Sequence, residues 1–237
     1  MKRSNIDITF IVIIVILAMS SLRSGGFSDP MQWLMDKLLL LPGIVIGLSF
    51  HEFGHAVVAY KLGDNTPKLQ GRVTLNPMAH IDWMGLAALF FCGFGWGQPV
   101  QINPFNFKHR RRDELLVALA GVVMNLLLAV VFTIIAKIFL VAAGGTAFIN
   151  TTVATGIWQI ILYALQINLV LMIFNLIPCP PLDGWGIITQ IFRLDKYDWW
   201  YKVYQYGTYI LLALIVFNVT DLVLTPLVNG IMKILLF

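Results

Sequence analysis

Charge is what this sequence has least of. Lysine, arginine, aspartate and glutamate make up 12% of the 237 residues, against 59% hydrophobic residues, and the mean hydropathy is +0.82. A water-soluble domain of this size cannot cover its surface with so few charges. Cysteine is nearly absent as well. Cys92 and Cys179 stand apart in apolar surroundings and form no CxxC, which excludes a disulfide framework. No basic run is interleaved with aromatics, so the formal charge of +4 does not point to nucleic acid. In a membrane chain basic residues mainly set topology. Repeats and low-complexity tracts are missing too.

What is present is a series of six apolar units: 6–22, 31–62, 84–97, 114–143, 152–178 and 207–236. About 20 such residues span a bilayer. The first unit, preceded by Lys2 and Arg3, competes with a signal peptide, but no small-x-small cleavage site follows it, so an uncleaved helix is expected. The 84–97 unit is short and broken by Gly93, Gly95 and Gly97. It reads as a re-entrant hairpin, which membranes tolerate where protein or water satisfies the backbone. The last unit contains Asp221 and Pro226 and is expected as one helix followed by a surface piece.

If 84–97 does not cross, twelve basic residues fall on one side: Lys2, Arg3, Lys61, Lys68, Arg72, Lys108, Arg110, Arg111, Arg112, Arg193, Lys196 and Lys202. Arg23 and Lys233 fall on the other, while Lys37 and Lys137 can snorkel. The positive-inside rule makes the crowded side, with the amino terminus, cytoplasmic.

Within the second unit, SFHEFGHAVVAY (49–60) places ionisable groups where they are costly. His51-Glu52-Phe53-Gly54-His55 is HExxH, which on a helix puts both imidazoles on one face with Glu52 beside them. Zinc takes three protein ligands and a water in catalytic sites, and a carboxylate alongside can accept a proton from that activated water. A helix with interior histidines making neutral hydrogen bonds is the bland alternative. A third ligand is scarce: His80 and His109 lie in polar or basic loops, and the best carboxylate is Asp183 in NLIPCPPLDGW (175–185). Pro178, Pro180 and Pro181 break the preceding helix and Gly184 frees the backbone, so Asp183 can turn back into the bundle. Alternatively Asp183 caps a short helix, GWGIITQIF. The charge rule brings both motifs to the same side, with His55 about 12 Å of helix below the cytoplasmic end.

HEFGH paired with a later NLIPCPPLDG resembles the site-2 proteases, zinc intramembrane metalloproteases. The similarity extends over about 37–192 and includes GRVTLNPMAHIDWMG (71–85), GQPVQINPFNF (97–107) and AGVVMN (120–125). The resemblance implies one Zn2+ held by His51, His55 and Asp183, with Glu52 as catalytic base. It further implies that Asn175, eight residues before the aspartate, steadies the oxyanion and that Asn125 sits at the substrate. Val122 and Val123 stand where many relatives carry a proline, and no segment is long or polar enough for a PDZ or CBS domain, as in the compact subgroup.

The expected fold is an all-α polytopic membrane protein of about five to six transmembrane helices in one domain, 1–237. It comprises a first helix 6–22, a catalytic core 31–192 and a C-terminal region 207–236, with a re-entrant hairpin and a short β-hairpin or strand over the site. That strand is LQGRVTL (69–75): Arg72, Val73, Thr74 and Leu75 either pair with an extended substrate or merely pack over the site. His80 and Asp82 structure their loop rather than bind a second metal. Arg110, Arg111 and Arg112 read as a topology anchor, and Trp199, Trp200, Tyr201, Tyr204 and Tyr206 as an interfacial belt. The resemblance implies a single-span membrane protein as substrate, a membrane-tethered transcription regulator being one type, within the cell membrane. Rival classes are a zinc transporter and an inactive substrate-presenting scaffold.

Overall fold

Asp29 and Pro30 open the first described helix as cap and first residue: the Asp29 carboxylate accepts from the Gln32 amide at 3.0 Å, and proline is pre-set for a first turn. The computed structural model describes residues 28–93, 95–142 and 151–236, together with Val15 and Met19. The expected first helix, 6–22, therefore lies outside the described residues apart from those two. The elements are α1 (Pro30–Lys61), α2 (Thr66–Leu69), α3 (Trp83–Cys92), α4 (Arg110–Ala142), α5 (Thr152–Asn175), α6 (Asp183–Phe192), α7 (Asp198–Val216) and α8 (Val219–Leu236).

Among the described residues four helices are long and apolar enough to cross a membrane: α1, α4, α5 from Val153, and α8. Their outer faces bear exposed apolar side chains, among them Leu126, Leu127, Val131, Ile134 and Ile138 on α4. Such a continuous apolar surface suits lipid, not water.

α1, α4 and α5 pack mutually at the centre. Glycine permits the approach: a Cβ on Gly43 would come within 2.7 Å of the Ala164 Cα on α5, and one on Gly54 within 2.9 Å of the Ala120 carbonyl on α4. Small residues serve this purpose where lipid supplies no hydrophobic drive between helices. The patch that Gly54 leaves on α1 is thus filled by a neighbouring helix. A second apolar cluster joins Ala129, Leu165, Leu169 and Ile173 to Leu224 and Val228 of α8.

The 84–97 unit folds as a short helix followed by a returning segment. Asp82 caps α3 through the Gly85 amide at 2.8 Å, and Gly93 ends it at φ +74. The chain then returns so closely that a side chain on Gly85 would strike the Trp96 carbonyl and one on Gly95 the Gly85 carbonyl. An antiparallel bridge, Ile81 to Gly97, closes it. Its tip stacks Phe91 on Trp33, in the first turn of α1, with ring centroids 6.1 Å apart.

The expected strand at 69–75 is not formed, and no strand occurs among the described residues. Leu69 ends α2, Gly71 turns at φ +69, and the Arg72 amide bonds back to the Pro67 carbonyl at 2.8 Å. Local hydrogen bonds have taken the donors a strand would offer, and the left-handed glycine breaks the alternation. The 207–236 unit is likewise divided otherwise than expected. It breaks at Asn218, φ +56, and Pro226 lies inside α8.

Buried Asp64 ties two polar loops together. It accepts from the Asn103 amide at 2.7 Å, the Asn106 side chain at 2.7 Å, and the Thr66 hydroxyl and amide at 2.6 and 3.0 Å. Burial alone would raise its carboxyl, but the hydrogen bonds from Thr66, Asn103 and Asn106 outweigh it and hold the group below the ordinary carboxylate value. Its stabilisation is therefore complete above the ordinary carboxylate pKa and lost as pH falls through the depressed one. Asp64→Ala should favour loop opening by about 1.5–3 kcal/mol, seen as faster hydrogen exchange at the Asn103 and Thr66 amides. Asp64→Asn should remove the acid-induced step.

Candidate metal centre

One turn of helix separates His51 from His55 on α1, and the two side chains leave on the same face. His51 and His55 are 5% and 9% exposed, so their ring nitrogens need partners. His55 Nδ1 lies 2.7 Å from the Val117 carbonyl, which can only accept, so this nitrogen carries the proton. His51 Nδ1 lies 2.7 Å from Asn125 Oδ1. The Asn125 amide is oriented by its other end, which donates to the Gly47 carbonyl and to Asn168 Oδ1, each at 3.1 Å. In its neutral form each imidazole thus gives Nδ1–H to an acceptor and leaves Nε2 bare for a cation.

The two Nε2 atoms are 3.1 Å apart. Asp183 Oδ2 lies 3.2 Å from one and 3.3 Å from the other. Asp183 begins α6, but Leu182 occupies the cap position and no side chain caps the helix. The capping alternative therefore fails, and the carboxylate turns to the histidines. Asp183 Oδ2 has no hydrogen-bond partner although it is buried. Three lone-pair atoms facing one another in low dielectric repel unless a cation lies among them. Tetrahedral zinc ligands at about 2.0–2.1 Å stand roughly 3.3–3.4 Å apart, so the spacing and the two-imidazole, one-carboxylate donor set fit that ion. No other such group occurs among the described residues.

Gly121 on α4 backs this trio. A Cβ there would lie 2.5 Å from His51 Cε1 and from His55 Nε2. Glu52 is held by the backbone: Oε2 accepts from the Val100 amide at 3.0 Å. The extended segment carrying that amide is staked by the Gln98 amide on the His80 carbonyl at 2.7 Å and by Asn103 on Asp64.

A cavity of about 650 Å³ opens over the trio. It is lined by His51, Glu52, His55 and Asp183, by Asn175 at the end of α5, and by the extended residues Gly95–Gly97, Pro99, Val100 and Ile102. Asn175 donates to the Leu171 carbonyl at 2.9 Å.

Arg72, Val73, Thr74 and Leu75 do not line it. Arg72 instead donates to the carbonyls of Ala79 and Gln98, and the Thr74 carbonyl accepts from His80 Nε2 at 2.8 Å. With no strand present, their expected pairing with substrate lacks its structural basis. Asn125, expected at the substrate, is wholly buried and its amide fully used. His80 and Asp82 serve loop and cap, as expected.

Arg111 grips the carboxyl end of α6, donating to the Gln190 and Ile191 carbonyls. Of the expected belt, Trp200 and Tyr204 also line the cavity, with Trp200 bonded to the Thr189 hydroxyl at 3.0 Å. Tyr201 and Tyr206 are 65% and 56% exposed. Sequence reasoning gave no role to Gly121, Asp64, Asn168 or the Val100 amide. The first lies within AGVVMN, where residue type does not reveal its purpose, and a backbone donor leaves no trace in side-chain identity.

A family model described as peptidase family M50 matches residues 135–217. The chain is 39% identical over 203 residues to "Putative zinc metalloprotease YwhC" of Bacillus subtilis (strain 168), covering 84% of this chain and 91% of that one. It is 28% identical over 213 residues to "Putative zinc metalloprotease Rip2" of Mycobacterium tuberculosis (strain ATCC 25618 / H37Rv), covering 87% and 74%. It is 26% identical over 188 residues to "Zinc metalloprotease MJ0392" of Methanocaldococcus jannaschii, covering 78% and 41%. No solved structure matches.

Gly121→Ala should displace the imidazoles and lower zinc affinity by at least about tenfold, the scale of losing a group that orients metal ligands. Gly156→Ala, where an added Cβ meets nothing within 4 Å, should bind zinc as the native chain does. Chelator competition on the purified proteins measures both.

Proposed function

The chain belongs to peptidase family M50, the site-2 proteases, and from that premise we propose that it hydrolyses a peptide bond within or beside a membrane-spanning segment of its substrate. Membership makes it a zinc metalloendopeptidase and an integral membrane protein. The observation that carries the finer reading is the meeting of His51 Nε2, His55 Nε2 and Asp183 Oδ2 within 3.3 Å at the floor of a cavity that Glu52 also lines.

In this reading His51, His55 and Asp183 hold the ion. Bound there, zinc would polarise the scissile carbonyl and lower the pKa of an attacking water. Glu52 takes a proton from that water and returns it to the leaving amine. The Val100 amide keeps Glu52 turned into the cavity. Asn175, on the cavity wall, exchanges its bond to the Leu171 carbonyl for one to the developing oxyanion. A substrate helix hides its carbonyls in internal hydrogen bonds, so it must unwind before entering.

The substrate class is a single-span membrane protein, with a membrane-tethered transcription regulator as one type. Support for a cytoplasmic site comes from the basic residues Lys61, Lys68, Arg72, Lys108, Arg110, Arg111 and Arg112, all in or beside the loops that join the α1 carboxyl end to the α4 amino end.

Glu52→Gln should abolish cleavage, a loss of about 10²–10⁴-fold, while one zinc per chain is retained by metal analysis. Co-expression with candidate single-span proteins tests this: if none accumulates uncleaved with Glu52→Gln, the protease reading fails. Asn175→Ala should lower kcat by about 10²–10³-fold and leave KM within a few-fold in single-turnover cleavage.

A further inference from the structure

Two asparagines lie wholly buried in the three-helix centre, Asn125 on α4 and Asn168 on α5. A buried amide is costly unless its donors and acceptor are used, and here the bonds run in one direction. Asn168 Nδ2 donates to the Ala164 carbonyl at 2.8 Å, which turns Asn168 Oδ1 toward α4. That oxygen accepts from Asn125 Nδ2 at 3.1 Å, and the same nitrogen donates to the Gly47 carbonyl of α1 at 3.1 Å. Asn125 Oδ1 then faces His51 Nδ1 at 2.7 Å.

Carbonyls can only accept, so Ala164 and Gly47 set the polarity of the whole chain of bonds. With Asn125 reversed, an NH₂ group would face His51. His51 would then have to accept at Nδ1 and protonate Nε2, the atom aimed at His55 and Asp183. Asn168 supplies the second acceptor that makes this reversal unfavourable, since a reversed Asn125 would oppose two oxygens with its own.

We infer that Asn168 is a positioning residue for the metal centre: acting through Asn125, it holds His51 in the tautomer whose Nε2 is free to bind zinc. The inference rests on the assignment of His51, His55 and Asp183 as the zinc ligands. It joins all three central helices to one imidazole, whereas His55 takes its orientation from a single backbone carbonyl.

The test uses the full-length chain purified in detergent, with zinc affinity measured by chelator competition and the ligand field read from the visible spectrum after cobalt substitution. Asn168→Ala should weaken zinc binding about 10–100-fold and alter the cobalt spectrum. Asn168→Asp, neutral when buried, keeps a carbonyl to accept from Asn125 and a hydroxyl to donate to Ala164, and should restore native affinity within about threefold. Leu165→Ala removes buried packing from the same helix outside the relay and should leave both readouts native.

The inference is overturned if Asn168→Ala binds zinc as the native chain does, if Leu165→Ala weakens binding equally, or if Asn168→Asp fails to restore it. Should Asn168→Ala not fold, Asn168→Asp decides alone: native affinity supports the relay and a tenfold loss overturns it. Failure of the native chain to bind one zinc would instead sink the ligand assignment itself.

Discussion

Everything in the centre of this protein is arranged around one electrostatic problem, the close approach of three lone-pair atoms. His51 Nε2, His55 Nε2 and Asp183 Oδ2 stand 3.1–3.3 Å apart, and with neutral imidazoles each turns a lone pair on the others. In a low-dielectric interior such a group holds together only around a cation and only if each member is held from behind. The Val117 carbonyl holds His55, and the Asn125–Asn168 relay holds His51. For Asp183 the hold is mechanical: α6 is gripped at its far end by Arg111.

Close helix packing follows from the same demand. Gly121 lets α4 lie directly against the imidazoles, while Gly43 and Gly54 bring α5 and α4 onto α1. In lipid, apolar contact between helices gains little over contact with acyl chains, so association depends on close fit and on buried polar bonds. The relay supplies such bonds at the place where the fit matters most.

The proposed base is positioned by a different device. Glu52 shares α1 with the histidines but is restrained from outside it, by a backbone amide on an extended loop. That loop is staked by Asp64, by His80 and by Arg72. The Asp64 and Arg72 side chains and the His80 carbonyl thus belong to the support of the segment that holds Glu52. A supporting role for Arg72 also accounts for its absence from the cavity wall.

The central helices were legible from apolar length and HEFGH from its four-residue spacing, whereas the joining of Asp183 to it rested on the family resemblance, proline and glycine after α5 only permitting it. The strand over 69–75 was misread because its alternation is short and Gly71 redirects it into local turns. Asn125 enters as a substrate residue only through the family resemblance, and the structure shows it wholly buried, bonded to His51, Gly47 and Asn168. By itself, then, the sequence determined the class of chain, the donor types and their spacing along α1. Only the tertiary structure decided which nitrogen of each histidine is free, which glycine makes room, and which amide holds Glu52. Those are properties of groups far apart in the chain, whose partners are mostly backbone atoms that every residue carries alike.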